Sequence, residues 1–399
     1  MKSIAVIGGG WSGCHTALEL AGAGHQVTVI EKGPHLFDGV HARELPPIVC
    51  QILREVLGAG RPRQTRHLLA CSPGSTGHES KVNAATFGDV CGESTECARV
   101  DVNEQWPNTE LECAYKLDEP CAVLNPYLKT YFQDRLSSAG ISIRLNDEVT
   151  EVKRQEQQYQ VLTSTRFEGS FHKVVNATGY MSALPDGLLD NLPVNLDIRY
   201  QVCTALRYTD RYPEDSPISF IVMDGWFPCL MPSLSEPTSR GEYVMTHGAY
   251  TILGSFDTGP KARECLDNLD PEFVNCHIRP KIEEQMERFW PGFKERFSYH
   301  GWKGSVMPKL VTDTEFRSSV VFESGGVIYI FPGKISNVME AADEVLSLLD
   351  GGQVIHASEF GYARDSELSR SRSEIEQRPT SQDRNTCFLQ THQQLCVKS

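Results

Sequence analysis

The 399-residue chain has no apolar run on the order of eighteen residues, so no membrane-spanning helix is expected. It has no excess of positive charge: 38 Lys and Arg stand against 52 Asp and Glu, a net charge of −14. That balance argues against nucleic acid or an anionic membrane as a partner. The 13 cysteines include no C-x-x-C pair, and Cys91 and Cys97 are spaced too widely for a zinc knuckle or a dithiol redox centre. No metal site is expected. Scattered thiols without a framework point to a reducing, cytoplasmic compartment. The last residues, Cys396-Val397-Lys398-Ser399, look like a prenylation box, but Lys398 stands where an aliphatic residue belongs. The N-terminus runs straight into an apolar strand and leaves no room for a signal peptide.

What is present begins at Ser3. Ile4-Ala5-Val6-Ile7 has the composition of a buried parallel strand. Gly8-Gly9-Gly10-Trp11-Ser12-Gly13 follows and fits G-x-G-x-x-G. A helix is predicted from Cys14 to Ala23, closed by Gly24, and a second strand from Gln26 to Ile30, ending at Glu31. In such a βαβ unit the first glycine allows the tight turn, the second lets a pyrophosphate approach the backbone, and the third lets helix and sheet pack closely. The helix N-terminus offers free N–H groups to phosphate. Glu31 is placed to accept hydrogen bonds from both ribose hydroxyls and would repel a 2′-phosphate, which favours FAD or NAD over NADP. The strand, helix, second strand and acid together make the motif specific.

Farther along, a helix is expected after Pro46 and Pro47, with Ile48, Val49, Ile52, Leu53, Val56 and Leu57 on its apolar face. Arg61, Arg63, Arg66 and His67 form a basic cluster, and residues 71–110 read as irregular with two short strands. A helix over Tyr127–Ala139 precedes strands at Ile141–Leu145, Val149–Val152, Tyr159–Thr163 and the Phe171–Val175 region. Asn176-Ala177-Thr178 is a formal glycosylation sequon, read as incidental on a core strand. From about Asp197 to Val311 strand-like runs at Ser219–Met223, Gly241–His247 and Tyr250–Gly254 indicate an antiparallel sheet, with Asp224-Gly225 as a hairpin turn and a helix over Pro280–Trp290. Strand character returns at Ser319–Ile330, and a helix over Asn337–Leu349 follows. The chain beyond Ala357 is polar and reads as a disordered tail.

Three separated stretches are candidates for one nucleotide site: Gly8–Glu31, Ala177-Thr178-Gly179, and Phe331–Asn337 before the last helix. The opening fingerprint, Val174–Gly179 and Pro332–Asn337 resemble the FAD-dependent oxidoreductases of the D-amino-acid oxidase and glycine oxidase family. The resemblance covers residues 1–40, about 120–195 and about 310–350. It implies an α/β fold, with a Rossmann-like FAD-binding domain of the glutathione-reductase type built from 1–60, 120–195 and 312–356. It also implies an α+β substrate domain, with an antiparallel sheet over the flavin, from 61–119 and 196–311. Carried over, it assigns Gly8, Gly10 and Gly13 to the pyrophosphate, Glu31 with its neighbour Lys32 to the ribose end, and a backbone contact to adenine at Val149. Ala177, Thr178 and Gly179 then crowd the cofactor, and Gly333, Lys334 and Ile335 lie beside the flavin. One departure stands out. Where the family has a glycine- and serine-rich loop, this chain has Asp38–Glu44 and two prolines.

The resemblance implies hydride transfer from a carbon bearing an amine to flavin N5, with molecular oxygen as the acceptor and a small amine or amino-acid-like substrate. Arg317 is the candidate to hold a substrate carboxylate, with a salt bridge as the competing reading. His247, Tyr250 and Trp226 are candidates to line the pocket, with packing as the alternative. Lys303 and Lys334 are candidates to favour oxygen activation, and Cys229 offers a thiol for a covalent flavin link. The rival functions are an FAD-dependent monooxygenase or dehydrogenase of a secondary metabolite and a flavoprotein that has lost catalysis. The absence of a second G-x-G-x-x-G counts against a separate nicotinamide site.

Overall fold

The computed structural model describes residues 1–38, 66–71, 84–92, 97–117, 125–179, 198–215, 217–223, 227–233, 241–310, 319–331 and 337–351. The apolar run at the N-terminus forms strand β1 (Ser3–Ile7), buried at four of its five residues. Helix Trp11–Gly22 follows, then β2 (Gln26–Ile30). The helix starts at Trp11, ahead of the predicted Cys14, because the turn is complete at Gly10, whose backbone is extended.

The next strands are β3 (Arg66–Cys71), β4 (Cys97–Val100), β5 (Cys113–Leu117), β6 (Ser142–Arg144), β7 (Val149–Gln155), β8 (Gln158–Thr163), β9 (Glu168–Phe171) and β10 (Lys173–Asn176). After them come β11 (Ile198–Asp210), β12 (Ile218–Val222), β13 (Pro228–Pro232), β14 (Glu242–His247), β15 (Ile252–Phe256), β16 (Phe297–Leu310), β17 (Val320–Ser324) and β18 (Val327–Phe331).

The first sheet has six strands in the order β17-β18-β10-β1-β2-β6. Strands β18, β10, β1, β2 and β6 run parallel, and β17 pairs antiparallel at the edge. One face carries Ile4, Val6, Val29, Val175 and Ile328 against helices Trp11–Gly22, Asn125–Ser138 and Val338–Leu349. Leu20, Leu128, Leu136 and Val345 are fully enclosed there; burial of each such side chain stabilises by about 1.5–3 kcal/mol. The other face carries Ala5, Ile7, Ile30, Val174 and Tyr329, with Val149, Tyr159, Val161 and Phe171 of the three-stranded sheet β7-β8-β9 in the same core. The result is three layers: helices, parallel sheet, small antiparallel sheet.

The second sheet has nine strands, β15-β11-β14-β13-β12-β3-β5-β4, with β16 on the other flank of β11. The β11–β16 ribbon pairs Ile198 with Leu310 at one end and Asp210 with Phe297 at the other. Neither strand is singled out by the sequence analysis, since Gly301, Gly304 and Pro308 mask β16. Residues 71–110, read as irregular with two short strands, contain strand β4 and, beyond that reading, helix Ala84–Gly92 and a helical turn Val102–Gln105. Asp101 caps that turn by accepting from the amides of Asn103 and Glu104. The strand expected from Tyr250 begins at Ile252, because residues 248–250 form a turn. Asp224-Gly225 and the helix after Pro46 lie outside the described residues, as does the tail.

Candidate functional site

Strands β1, β2, β10 and β18 all point the same way. Ile7 is level with Ile30 and Asn176, and Asn176 with Tyr329. The loops after Ile7, Ile30, Asn176 and Phe331 therefore leave from one edge of the sheet. The chain passes from β1 to β2 on one side, and β10 pairs on the other, so the strand order reverses at β1, where the turn after Gly8 meets Ala177. Ligands of open α/β sheets bind at such a switch point.

The turn after β1 is held at both ends. The Gly8 amide donates to the Ile30 carbonyl and the Ala177 amide to the Ile7 carbonyl. Gly8 has φ +104, and a Cβ there would lie 2.9 Å from the Ala177 carbonyl oxygen. A Cβ on Gly13 would lie 1.9 Å from the Gly8 carbonyl oxygen. Only glycine fits either position. Helix Trp11–Gly22 has no side-chain cap at Gly10 and no acidic residue in its first turn. Among the described residues no side chain caps its N-terminal amides, which leaves them and the positive dipole end for an anion.

Glu31 spans this loop. Its carboxylate accepts from the Gly9 amide at 2.6 Å and from the Gly33 amide at 2.8 Å. Each oxygen keeps a lone pair for a further donor. Lys32 beside it is exposed. At the end of β10, beside the turn, Asn176 is 4% exposed, and its side-chain oxygen accepts from the Thr178 amide at 3.1 Å and the Thr178 hydroxyl at 2.7 Å. This Asx turn sets Ala177, Thr178 and Gly179 against Gly8, and it occupies the asparagine of the sequon inside the protein.

A second ring of residues supports the loop, none of them evident in this role from the sequence. Trp11 packs edge-on against Phe37 and Phe132, each with centroids 5.5 Å away. The Phe37 amide donates to the Gly9 carbonyl, closing residues 33–38 back over the turn. Behind Glu31, the Asp147 amide donates to the Glu31 carbonyl and the Glu31 amide to the Arg144 carbonyl. Burial raises the Asp147 carboxyl, but hydrogen bonds from Thr163, Thr165 and Arg144 outweigh it and hold the group at about 2. Val149, the candidate adenine neighbour, opens β7 two residues later and is buried. These supports depend on contacts distant in sequence. The Asn-x-Thr spacing and a bulky aromatic inside the glycine motif are the signals that could have found two of them.

His247 and Tyr250 lie together, with ring centroids 4.5 Å apart. The His247 Nδ1 accepts from the Ala249 amide at 3.0 Å, and Nε2 lies 2.6 Å from Gln285 Oε1, an acceptor that requires the proton on Nε2. Both nitrogens of a neutral imidazole are thus committed to the fold. His247 also lies on the sheet face covered by helix Arg279–Phe289, which carries Gln285. Cys229, in β13, clusters with Met231 and Ile221 on the opposite face. Lys303 is exposed on β16. Arg317, Trp226, Gly333, Lys334 and Ile335 lie outside the described residues.

A family model described as FAD dependent oxidoreductase matches residues 3–45 and 79–333. The FAD-dependent monooxygenase kojA of Aspergillus flavus is 40% identical over 419 residues, covering 98% of this chain and 96% of that protein. The FAD-dependent monooxygenase FPY4 of Fusarium mangiferae is 25% identical over 371 residues, covering 87% of this chain and 91% of that protein. Glycine oxidase from Geobacillus kaustophilus superposes with a TM-score of 0.63 at 14% identity, over 91% of this chain and 98% of its own. L-proline dehydrogenase from P. horikoshii gives 0.62 at 16% identity, over 91% and 99%. The structural likenesses establish the fold; the family match and the whole-length relative establish more. The chain belongs to the FAD-dependent oxidoreductase (DAO) family, and its cofactor is FAD.

Proposed function

We propose that this protein is an FAD-dependent monooxygenase acting on a small organic substrate. The observation that carries this reading is the 40% identity to a monooxygenase along 98% of the chain. This reading stands ahead of oxidation of a C–N bond, the reaction that the resemblance to amino-acid oxidases implies. FAD supplies a two-electron store whose reduced form reacts with molecular oxygen.

The residues divide the work by position. Gly8, Gly10 and Gly13 cradle the pyrophosphate against the uncapped helix N-terminus. Glu31 takes the ribose hydroxyls with its free lone pairs, Lys32 stands at the solvent side, and Val149 borders the adenine. Ala177, Thr178 and Gly179 border the pyrophosphate opposite Gly8, and Gly333, Lys334 and Ile335 are assigned to the flavin side from the family resemblance alone. The six-stranded sheet is the core of the cofactor domain, and the nine-stranded sheet covers the flavin and excludes water from the substrate. No proton transfer is assigned to His247, whose nitrogens are both engaged. Among the described residues no helix is long and apolar enough to cross a membrane. The thiols of Cys14, Cys203 and Cys276 suit a reducing cytoplasm.

The fold shared with glycine oxidase favours a second reading, oxidation of a C–N bond in an amine or amino acid. That reaction passes two electrons and two protons from the substrate to oxygen and yields one hydrogen peroxide per turnover. Monooxygenation puts one oxygen atom into product and one into water, and draws two electrons from a reductant such as NADH or NADPH. Incubation under ¹⁸O₂ with either nicotinamide and a panel of amines, amino acids and small carboxylic acids separates them. Product heavier by one ¹⁸O supports the monooxygenase. Unlabelled product with stoichiometric peroxide overturns it in favour of the oxidase.

A further inference from the structure

Strands β3, β5 and β4 lie side by side at one end of the nine-stranded sheet. Their two faces carry different residues. Ala114 and Val100 belong to the main core, whereas Cys113 and Tyr115 form a small cluster of their own with Ala84, Cys97 and Met223. Helix Ala84–Gly92 packs on this second face: the Tyr115 hydroxyl lies 2.8 Å from the place that a Cβ on Gly88 would take. Cys113 is 4% exposed there and carries a thiol.

The register sets a second cysteine across from it. β3 and β5 run antiparallel, with Leu69 opposite Tyr115, Ala70 opposite Ala114 and Cys71 opposite Cys113. Directly opposed residues of an antiparallel pair share a face, and their Cα atoms stand about 4.5 or 5.5 Å apart, according to the hydrogen-bonding class of the pair. Both values lie within the roughly 4.4–6.8 Å that a disulfide spans. Cys71 is the last residue of β3 and Cys113 the first of β5, so together they make the terminal rung of this ladder. Terminal rungs open at little cost, which lets a small oxidant reach a pair that the middle of a sheet would seal. Cys97 is no rival partner: it pairs with Leu117, four residues and about 13 Å along β5 from Cys113.

We propose that Cys71 and Cys113 are a redox-sensitive pair, oxidised by hydrogen peroxide to a cross-strand disulfide that ties β3 to β5. One thiol takes an oxygen atom from the peroxide and becomes a sulfenic acid, releasing one water. The other thiol displaces that oxygen as a second water, and the S–S bond forms. Two thiols are oxidised, and one peroxide is reduced to two waters. Peroxide is at hand in either reaction weighed above: amine oxidation makes one per turnover, and a monooxygenase releases it whenever both oxygen atoms leave without entering product. In a reducing compartment such a disulfide is transient, which suits a sensor. The bond closes a loop that holds helix Ala84–Gly92, β4 and the turn Val102–Gln105, so the oxidised end of the sheet resists unfolding.

Tryptic mapping of the full-length, FAD-loaded protein tests this. After exposure to hydrogen peroxide, remaining thiols are alkylated in denaturant and the chain is digested without reductant. Cys71 is the only cysteine of tryptic peptide 67–81 and Cys113 the only one of 100–116, whereas Cys91 and Cys97 share 82–99. The expected result is peptide 67–81 joined to 100–116. Dithiothreitol is expected to separate the two and to lower the melting temperature of the oxidised protein; in peroxide-treated Cys113→Ala it should leave the melting temperature unchanged. Recovery of both peptides alkylated from the oxidised wild type, or of either joined to 82–99 instead, overturns the inference. The map is read without turnover, so its failure is distinguishable from failure of the ¹⁸O₂ experiment.

Discussion

Glu31 illustrates how one side chain serves both fold and site. Its oxygens tie the amides of Gly9 and Gly33, which no other described group reaches. Glu31→Ala leaves two part-buried donors to water and is expected to cost about 1–3 kcal/mol of stability. It should also lower FAD retention at least tenfold, read as the ratio of flavin to protein absorbance after gel filtration. Asp147 contributes through its proton equilibrium. Its carboxyl falls from an unfolded value of 3.8 to about 2 in the folded state, so its stabilisation is full above pH 4 and is lost as the pH falls towards 2. That shift corresponds to at most about 2.5 kcal/mol. Thermal melts from pH 6 to pH 2 should show wild type and Asp147→Asn converging at the acid end. Parallel curves would remove this role. At this scale the places of the glycines and Glu31 in the turn were legible because the motif falls within thirty residues of chain. The Asn176 turn and the Asp147 cluster were not, since their partners lie far off in sequence or acquire meaning only when buried.

At the scale of elements, the β11–β16 ribbon is pinned at its far end by a buried ion pair. Asp210 has a side chain 0% exposed, and the Arg296 guanidinium binds it at 2.8 Å while reaching Glu214 at 3.1 Å. Removing the cation leaves a buried, uncompensated charge, so Arg296→Ala is expected to destabilise by about 3–5 kcal/mol, read in urea unfolding. A loss below about 1 kcal/mol would contradict the pairing as drawn. Gly13→Ala acts on the first helix: the added methyl meets the Gly8 carbonyl at 1.9 Å, so helix and strand must part. Loss of FAD and a lower melting temperature are expected together. The βαβ elements were readable because an apolar run, a glycine turn and a period change fall in sequence order. Strand β11 was missed although Ile198, Tyr200, Val202, Leu206 and Tyr208 alternate, because Cys203, Thr204 and Ala205 blur the contrast at its centre. Strands β4 and β5 hold their place through pairing partners rather than composition.

Over the whole molecule, the parallel sheet brings four loops to one edge, and the nine-stranded sheet presents a helix-covered face and a second face bearing Cys229. The first arrangement was foreseen from motif and resemblance. The sidedness of the second sheet was not, since it depends on which face the helices cover. That sidedness separates His247, locked to Gln285 beneath the helices, from Cys229 on the other face. His247→Ala is accordingly expected to lower the melting temperature while leaving FAD content unchanged. The central claim is that FAD is held by the Gly8–Gly13 turn and Glu31. The visible spectrum of the purified protein, with FAD quantified per chain for wild type and Gly13→Ala, tests it most directly. One FAD per wild-type chain and little in the variant is the predicted result. A wild type that stays colourless with added FAD, or a variant that keeps its full complement, would contradict the account.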